Sequence, residues 1–136
     1  MPPRVAHIGI VVKSIQEALP RYTAGLGIHL DRIEEIPSQR VRVAFLPLEN
    51  GQIELLEPLD DSSGVAKFLA SRGEGVHHLC LEVGDIHACI AQAAGSGIQM
   101  IDKEPRRGAD GEVAFMHPKS MNGVLVELLQ EDSDHA

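Results

Sequence analysis

Val5-Ala-His-Ile-Gly-Ile-Val-Val-Lys-Ser-Ile15 and Val76-His-His-Leu-Cys-Leu-Glu-Val-Gly-Asp-Ile86 align without a gap at a spacing of 71 residues. Working outward, Gly25-Leu-Gly-Ile-His-Leu30 matches Gly95-Ser-Gly-Ile-Gln-Met100, and Val43-Ala-Phe-Leu46 matches Val113-Ala-Phe-Met116, both at a spacing of 70. Ile53-Glu-Leu-Leu56 then matches Val126-Glu-Leu-Leu129 at 73. The order is kept and the spacing drifts by a few residues, as loop insertions would make it do. A duplicated supersecondary unit is the simplest source of such a pattern.

Each copy carries the same local signals. A β-rich octet (Val5 to Val12; Val76 to Val83) precedes a short stretch with apolar residues at helical spacing: Ile15, Ala18, Leu19 and Tyr22 in one copy, Ile86, Cys89, Ile90 and Ala93 in the other. Ser14 with Glu17 reads as a capping box, Asp85 as an N-cap, and Gly25 and Gly95 suit the helix ends. Pro20 predicts a first helix that is kinked or short. Extended segments follow at 27–33, 40–46 and 52–56, and at 98–101, 112–116 and 124–129. The fold class is therefore α+β, two tandem βαβββ modules in one domain spanning residues 1–136. Module one covers about 4–58, a linker with a short helix (Val65 to Ala70) covers 59–74, module two covers about 75–130, and 131–136 form an acidic tail. Four strands per module cannot bury a face alone, so the two sheets are expected to enclose one cleft.

Composition narrows the partners. The chain has 136 residues and a net charge of −8, with Tyr22, Phe45, Phe68 and Phe115 as its aromatics. Single-stranded nucleic acid wants stacking platforms and a basic face, so nucleic acid is excluded as a partner. A membrane is excluded on the same charge argument and for want of a long apolar run, and without a signal pattern after Met1 the expected location is cytoplasmic. Cys80 and Cys89 match no zinc or redox spacing and read as small buried apolar residues.

Two polar types recur at equivalent places: His7 with His78, and Glu54 with Glu127. Strand alternation puts His7 on one face with Val5, Gly9 and Val11, and His78 with Val76 and Cys80. Glu54 and Glu127 stand between apolar neighbours of the opposite face. A single strand histidine is usually a hydrogen-bonded core residue, and a lone glutamate near a strand end is usually solvated. Duplicated pairs change that weighing, because burying four such groups is costly unless a divalent cation satisfies them together. His7, Glu54, His78 and Glu127 are thus the expected metal ligands. Two nitrogens and two carboxylates leave two octahedral positions open, which suits cobalt first, then manganese, nickel or iron, with zinc possible; a closed structural zinc site would be cysteine-rich. Such a cation would polarise a carbonyl as a Lewis acid. His77, of opposite strand parity and matched by Ala6, is assigned no ligand role, and His29, His87, His117 and His135 are treated as structural or surface groups. Glu57 is expected to face solvent.

With these residues in hand the chain resembles the vicinal oxygen chelate superfamily, and within it the methylmalonyl-CoA epimerase family, over residues 4–130. The strings that carry the resemblance are His7-Ile-Gly-Ile-Val-Val12, Gln52-Ile-Glu-Leu-Leu-Glu-Pro-Leu59, Ser63-Gly-Val-Ala-Lys-Phe-Leu69, Gly75-Val-His-His-Leu79, and above all Phe115-Met-His-Pro-Lys-Ser120 before Gly123-Val-Leu-Val-Glu-Leu128. Glyoxalase-like relatives more often have Asp-Pro-Asp-Gly at that turn. The resemblance implies interconversion of (2R)- and (2S)-methylmalonyl-CoA by C2 proton abstraction, with thioester and carboxylate oxygens chelating the cation and an enolate held by it. It implies an acyl-CoA partner, a homodimer, Glu127 as one acid/base and Glu54 as the other, although some members carry Gln at the Glu54 position. Lys119, Arg106 and Arg107 are the basic candidates for the coenzyme A phosphates. The alternatives are a lactoylglutathione lyase of glyoxalase I type, which can share this ligand set, and a non-enzymatic small-molecule binding protein of the same fold.

Overall fold

The computed structural model describes residues 2–133, so Asp134 and His135 lie outside the described residues. The architecture is α+β, with two βαβββ modules. The chain divides into two compact units, residues 7–77 and residues 2–6 with 78–133.

In the first unit the His7–Val11 part of β1 (Arg4–Val11) runs parallel to β4 (Gly51–Pro58), which is antiparallel to β3 (Val41–Leu48), itself antiparallel to β2 (Arg32–Ile36). In the second, β5 (Gly75–Glu82) runs parallel to β8 (Val126–Glu131), which is antiparallel to β7 (Gly111–Met116), itself antiparallel to the two-residue β6 (Arg106–Arg107). The pairing scheme is the same in both units, so the sequence repeat is a structural one.

Helix α1 (Ile15–Leu26) starts at Ser14, whose Oγ accepts the Glu17 N–H at 3.2 Å, and α3 (Ile86–Gly95) starts at Asp85, whose Oδ1 accepts the Ala88 N–H at 3.1 Å. Contrary to the sequence expectation, Pro20 does not shorten α1, which runs for 12 residues. Nor does α1 end at Gly25. It ends at Gly27, whose φ of +72° closes the helix as its N–H reaches the Thr23 carbonyl at 2.8 Å. Gly27 and Ile28 bond back to α1 carbonyls, and the strand expected at 27–33 begins only at Arg32, just after the Asp31 N–H reaches the Phe45 carbonyl at 2.9 Å. The strand expected at 98–101 is absent as well. Its place is held by a single bridge, Met100 to Met116, because the Asp102 carboxylate accepts the Phe115 N–H at 2.8 Å in place of a strand carbonyl.

One face of each sheet packs on its helix. Ile15 and Ala18 of α1 bury against Ala44, Leu46 and Leu55, while Ile86, Ile90 and Ala93 of α3 bury against Ala114, Met116, Val126 and Leu128. Each large side chain so buried contributes about 1.5–3 kcal/mol. The opposite face of the first unit carries Val11, Val43, Phe45 and Leu56 against Val65 of α2 (Gly64–Arg72), a helix capped by the buried Ser63.

Glu57, expected in solvent, is instead half-buried: its Oε1 accepts the Ile15 N–H at 2.7 Å and its Oε2 accepts Arg42 Nη1 at 2.9 Å. Carboxylates are favoured at helix N-termini, where unpaired N–H groups and the helix dipole meet. Arg42 is held between Glu35 and Glu57, and the hydrogen bond it donates to the Glu35 carboxylate leads in raising its pKa. The second unit repeats the device with a neutral residue, Gln130 Oε1 accepting the Ile86 N–H at 2.8 Å. Replacing Glu57 by Ala is expected to lower the unfolding free energy by about 2 kcal/mol, and Gln130 by Ala by about 1 kcal/mol, since the first loses a charge-assisted bond and the second a neutral one. Urea unfolding midpoints would check the order.

Candidate metal centre

His7 and Glu54 lie on one face of the first unit's sheet and are 7% and 8% exposed. The parallel register sets His7 beside Gln52 and Gly9 beside Glu54. Gly9 carries no side chain, and the Glu54 carboxylate turns back along the strand until its Oε2 is 3.1 Å from His7 Nδ1. Gln52 Nε2 donates to that same oxygen at 3.1 Å. In the second unit His78 and Glu127 are 6% and 7% exposed, with His78 Nε2 3.1 Å from Glu127 Oε1.

An aromatic ring accompanies each glutamate. Phe45 stands opposite Glu54 and Phe115 opposite Glu127 in the antiparallel registers. The Phe115 ring meets His78 edge to face at 6.1 Å, and the Arg106 guanidinium lies 5.4 Å from its centroid; Arg32 lies 3.9 Å over Phe45. The surroundings of each imidazole and carboxylate are apolar on one side, which strengthens any charge interaction made there.

The donor chemistry fits a divalent cation. Cis donors on an octahedral ion with bonds of about 2.1 Å sit about 3.0 Å apart. Each nitrogen-to-oxygen separation of 3.1 Å is close to that edge, and each pair is buried and mixed N/O. Each buried His/Glu pair, His7 with Glu54 in one unit and His78 with Glu127 in the other, is consistent with ligation of a divalent metal ion. Cys80 was read as a small apolar residue. It is fully buried, shares the His78 face, lies beside Glu127 in the β5–β8 register, and offers a sulfur that can ligate a metal. Strand parity, two residues on from His78, was the signal that could have found it. Cys89 is half-buried, and burial raises its thiol pKa.

The remaining histidines and basic residues separate clearly. His77 is half-buried with its ring edge to face on Phe68 of α2 at 5.1 Å. His29 and His87 are exposed, and His117 Nδ1 accepts the Lys119 N–H at 3.1 Å in the turn Pro118–Ser120. Lys119 itself is exposed. Arg107 makes a two-pronged contact with Asp132, while Arg106 Nε lies 3.3 Å from Asp102. Of these three basic candidates, Arg106 alone is placed against a ring that touches a candidate ligand. Among the described residues no helix is long and apolar enough to cross a membrane.

Comparison with known proteins places this geometry. The model of the Glyoxalase/Bleomycin resistance protein/Dioxygenase superfamily matches residues 6–115. The mitochondrial methylmalonyl-CoA epimerase of Dictyostelium discoideum is 39% identical over 127 residues, covering 92% of this chain and 76% of the relative. A crystal structure of a hypothetical protein from Bacillus halodurans superimposes with a TM-score of 0.95 at 43% identity, covering 98% of this chain and 97% of that one. A methylmalonyl-CoA epimerase in complex with methylmalonyl-CoA and an ammonium ion superimposes with a TM-score of 0.92 at 34% identity, covering 98% and 97%. A probable lactoylglutathione lyase of Vibrio cholerae is related at 28% identity over 134 residues, covering 98% of this chain and 94% of the relative. The chain therefore has the vicinal oxygen chelate fold and belongs to the glyoxalase/bleomycin resistance/dioxygenase superfamily, with methylmalonyl-CoA epimerases among its near full-length homologues.

Proposed function

We propose that this protein is a methylmalonyl-CoA epimerase that moves the C2 proton of its substrate from one face to the other at a divalent cation held by His7, Glu54, His78 and Glu127. The observation that carries the reading is the pair of buried, repeat-equivalent imidazole–carboxylate contacts at 3.1 Å. The homology to epimerases at 34–39% identity supports the choice of substrate over the lyase alternative, whose relative stands at 28%. A bound cation supplies Lewis-acid polarisation of a carbonyl and offsets the negative charge that builds as the proton leaves. Inversion at C2 needs proton removal on one face and delivery on the other, and two carboxylates approaching from related positions are the simplest device. Glu127 is assigned as one acid/base and Glu54 as the second. Lys119, Arg106 and Arg107 are the basic groups proposed for the coenzyme A phosphates.

The test is proton NMR of methylmalonyl-CoA in deuterium oxide with protein loaded with cobalt. The C2 resonance is expected to vanish and both epimers to appear. Prior treatment with a chelator is expected to abolish the exchange and added cobalt to restore it. An unchanged substrate spectrum, together with consumption of methylglyoxal and glutathione, would hand the site to the lyase reading. Full activity in chelator would remove both.

A further inference from the structure

Gln52 is absent from the machinery assigned above, yet its amide touches it. Gln52 and Glu54 are two residues apart on β4 and so share a face, and Gln52 Nε2 donates to Glu54 Oε2 at 3.1 Å in a half-buried setting. His7 Nδ1 approaches the same oxygen at 3.1 Å. The parallel register with β1 places Gln52 beside His7, so imidazole, amide and carboxylate form one three-residue cluster within the unit of residues 7–77. The repeat gives the contrast. At the spacing of 73 that relates Glu54 to Glu127, the position equivalent to Gln52 is Leu125, whose side chain has no hydrogen to donate.

We infer that Gln52 is a positioning residue that orients the Glu54 carboxylate as a metal ligand and thereby separates its setting from that of Glu127. A carboxylate oxygen has two lone-pair directions. The amide of Gln52 occupies one of these directions on Oε2 and so helps set the plane of the carboxylate before any ion arrives. Groups that hydrogen-bond to a ligating carboxylate typically change metal affinity by about 10- to 100-fold when removed, because an unheld ligand must be ordered at the moment of binding. The half-burial of Gln52 makes its contribution directional, since the amide is neither stripped of water nor free to wander. The two repeat-equivalent glutamates are in this way given different settings by one residue that the duplication does not share.

This inference rests on the metal reading of the site, and its test separates the two. Gln52→Met removes both amide groups while keeping nearly the same length and volume. Cobalt binding to the metal-free full chain, measured by titration calorimetry, is expected to weaken by about 10- to 100-fold in this variant. The thermal midpoint of the metal-free protein is expected to stay within about 2 °C of wild type, because a single half-exposed hydrogen bond contributes little to folding. Leu125→Met, which puts the same new side chain at the equivalent place without removing an amide, is expected to leave cobalt affinity within about twofold. Cobalt affinity of Gln52→Met within twofold of wild type, or an equal loss in Leu125→Met, would overturn the positioning role while leaving the metal site standing. Absence of cobalt binding by the wild-type chain would overturn both.

Discussion

Glu127→Gln is expected to slow interconversion of the two methylmalonyl-CoA epimers by at least about 10³-fold, in both directions equally. The glutamine keeps the shape and one oxygen of the side chain, so a cation can still be held, but the amide cannot take up a proton at working pH. Equal loss in the two directions follows from microscopic reversibility: the group that accepts the proton from one epimer must return it to make that epimer again. Proton exchange with solvent, read separately for each epimer, should be unequal. The epimer whose C2 proton faces Glu127 loses exchange, while the other can still surrender its proton to the second carboxylate and recover it on the same side. Glu54→Gln is expected to slow interconversion by a comparable factor, at least about 10²-fold, with exchange now kept by the epimer whose C2 proton faces Glu127, because inversion needs both carriers even though a glutamine oxygen can keep the ligand function favoured by the contacts with His7 and Gln52. Stereospecifically deuterated substrate and proton NMR would resolve all four rates. Interconversion in Glu127→Gln within tenfold of wild type would remove Glu127 from the proton path.

The second large effect is structural. Gly111→Ala is expected to destabilise the protein by about 3 kcal/mol, lowering its thermal midpoint by about 10 °C. A Cβ built on Gly111 would lie 2.1 Å from the Gln130 carbonyl oxygen and 2.9 Å from the Glu131 Cα. Both obstacles are backbone atoms of β8, in register with the start of β7, so neither can rotate away. Relief requires the two strands to part at their end. That movement would pull on Gln130, whose side chain accepts the first N–H of α3, three residues along from Glu127. Calorimetry of the metal-free variant measures the loss, and a midpoint within 3 °C of wild type would contradict the packing argument.

Much of this fold is legible from strand parity and repetition. The alternation in Val5 to Val11 and in Val76 to Cys80 places His7 on one face with Gly9 and Val11, and His78 on one face with Cys80, without any coordinates. Ser14 and Asp85 announce their helices because short-range capping chemistry involves only residues three apart. Pro20 does not shorten α1, because the missing N–H and the local clash of a proline are a cost that tertiary burial of Ile15 and Ala18 offsets. Residues 98–101 misled because the side chain of the next residue, Asp102, and not a strand carbonyl, accepts the Phe115 N–H, which leaves a single bridge where periodicity proposed a strand.

What the amino-acid order determined by itself is the doubled βαβββ plan and the pairing of two imidazoles with two carboxylates, since these depend on side-chain period and on residues near one another in the chain. The tertiary structure alone decided which atoms meet: Glu57 with the start of α1 and with Arg42, Gln130 with the start of α3, and Gln52 with Glu54. Glu57, Gln130 and their helix partners are 42 and 44 residues apart. Contacts at that range are set by how strands cross and how helices dock on them, quantities that no local pattern in the sequence encodes.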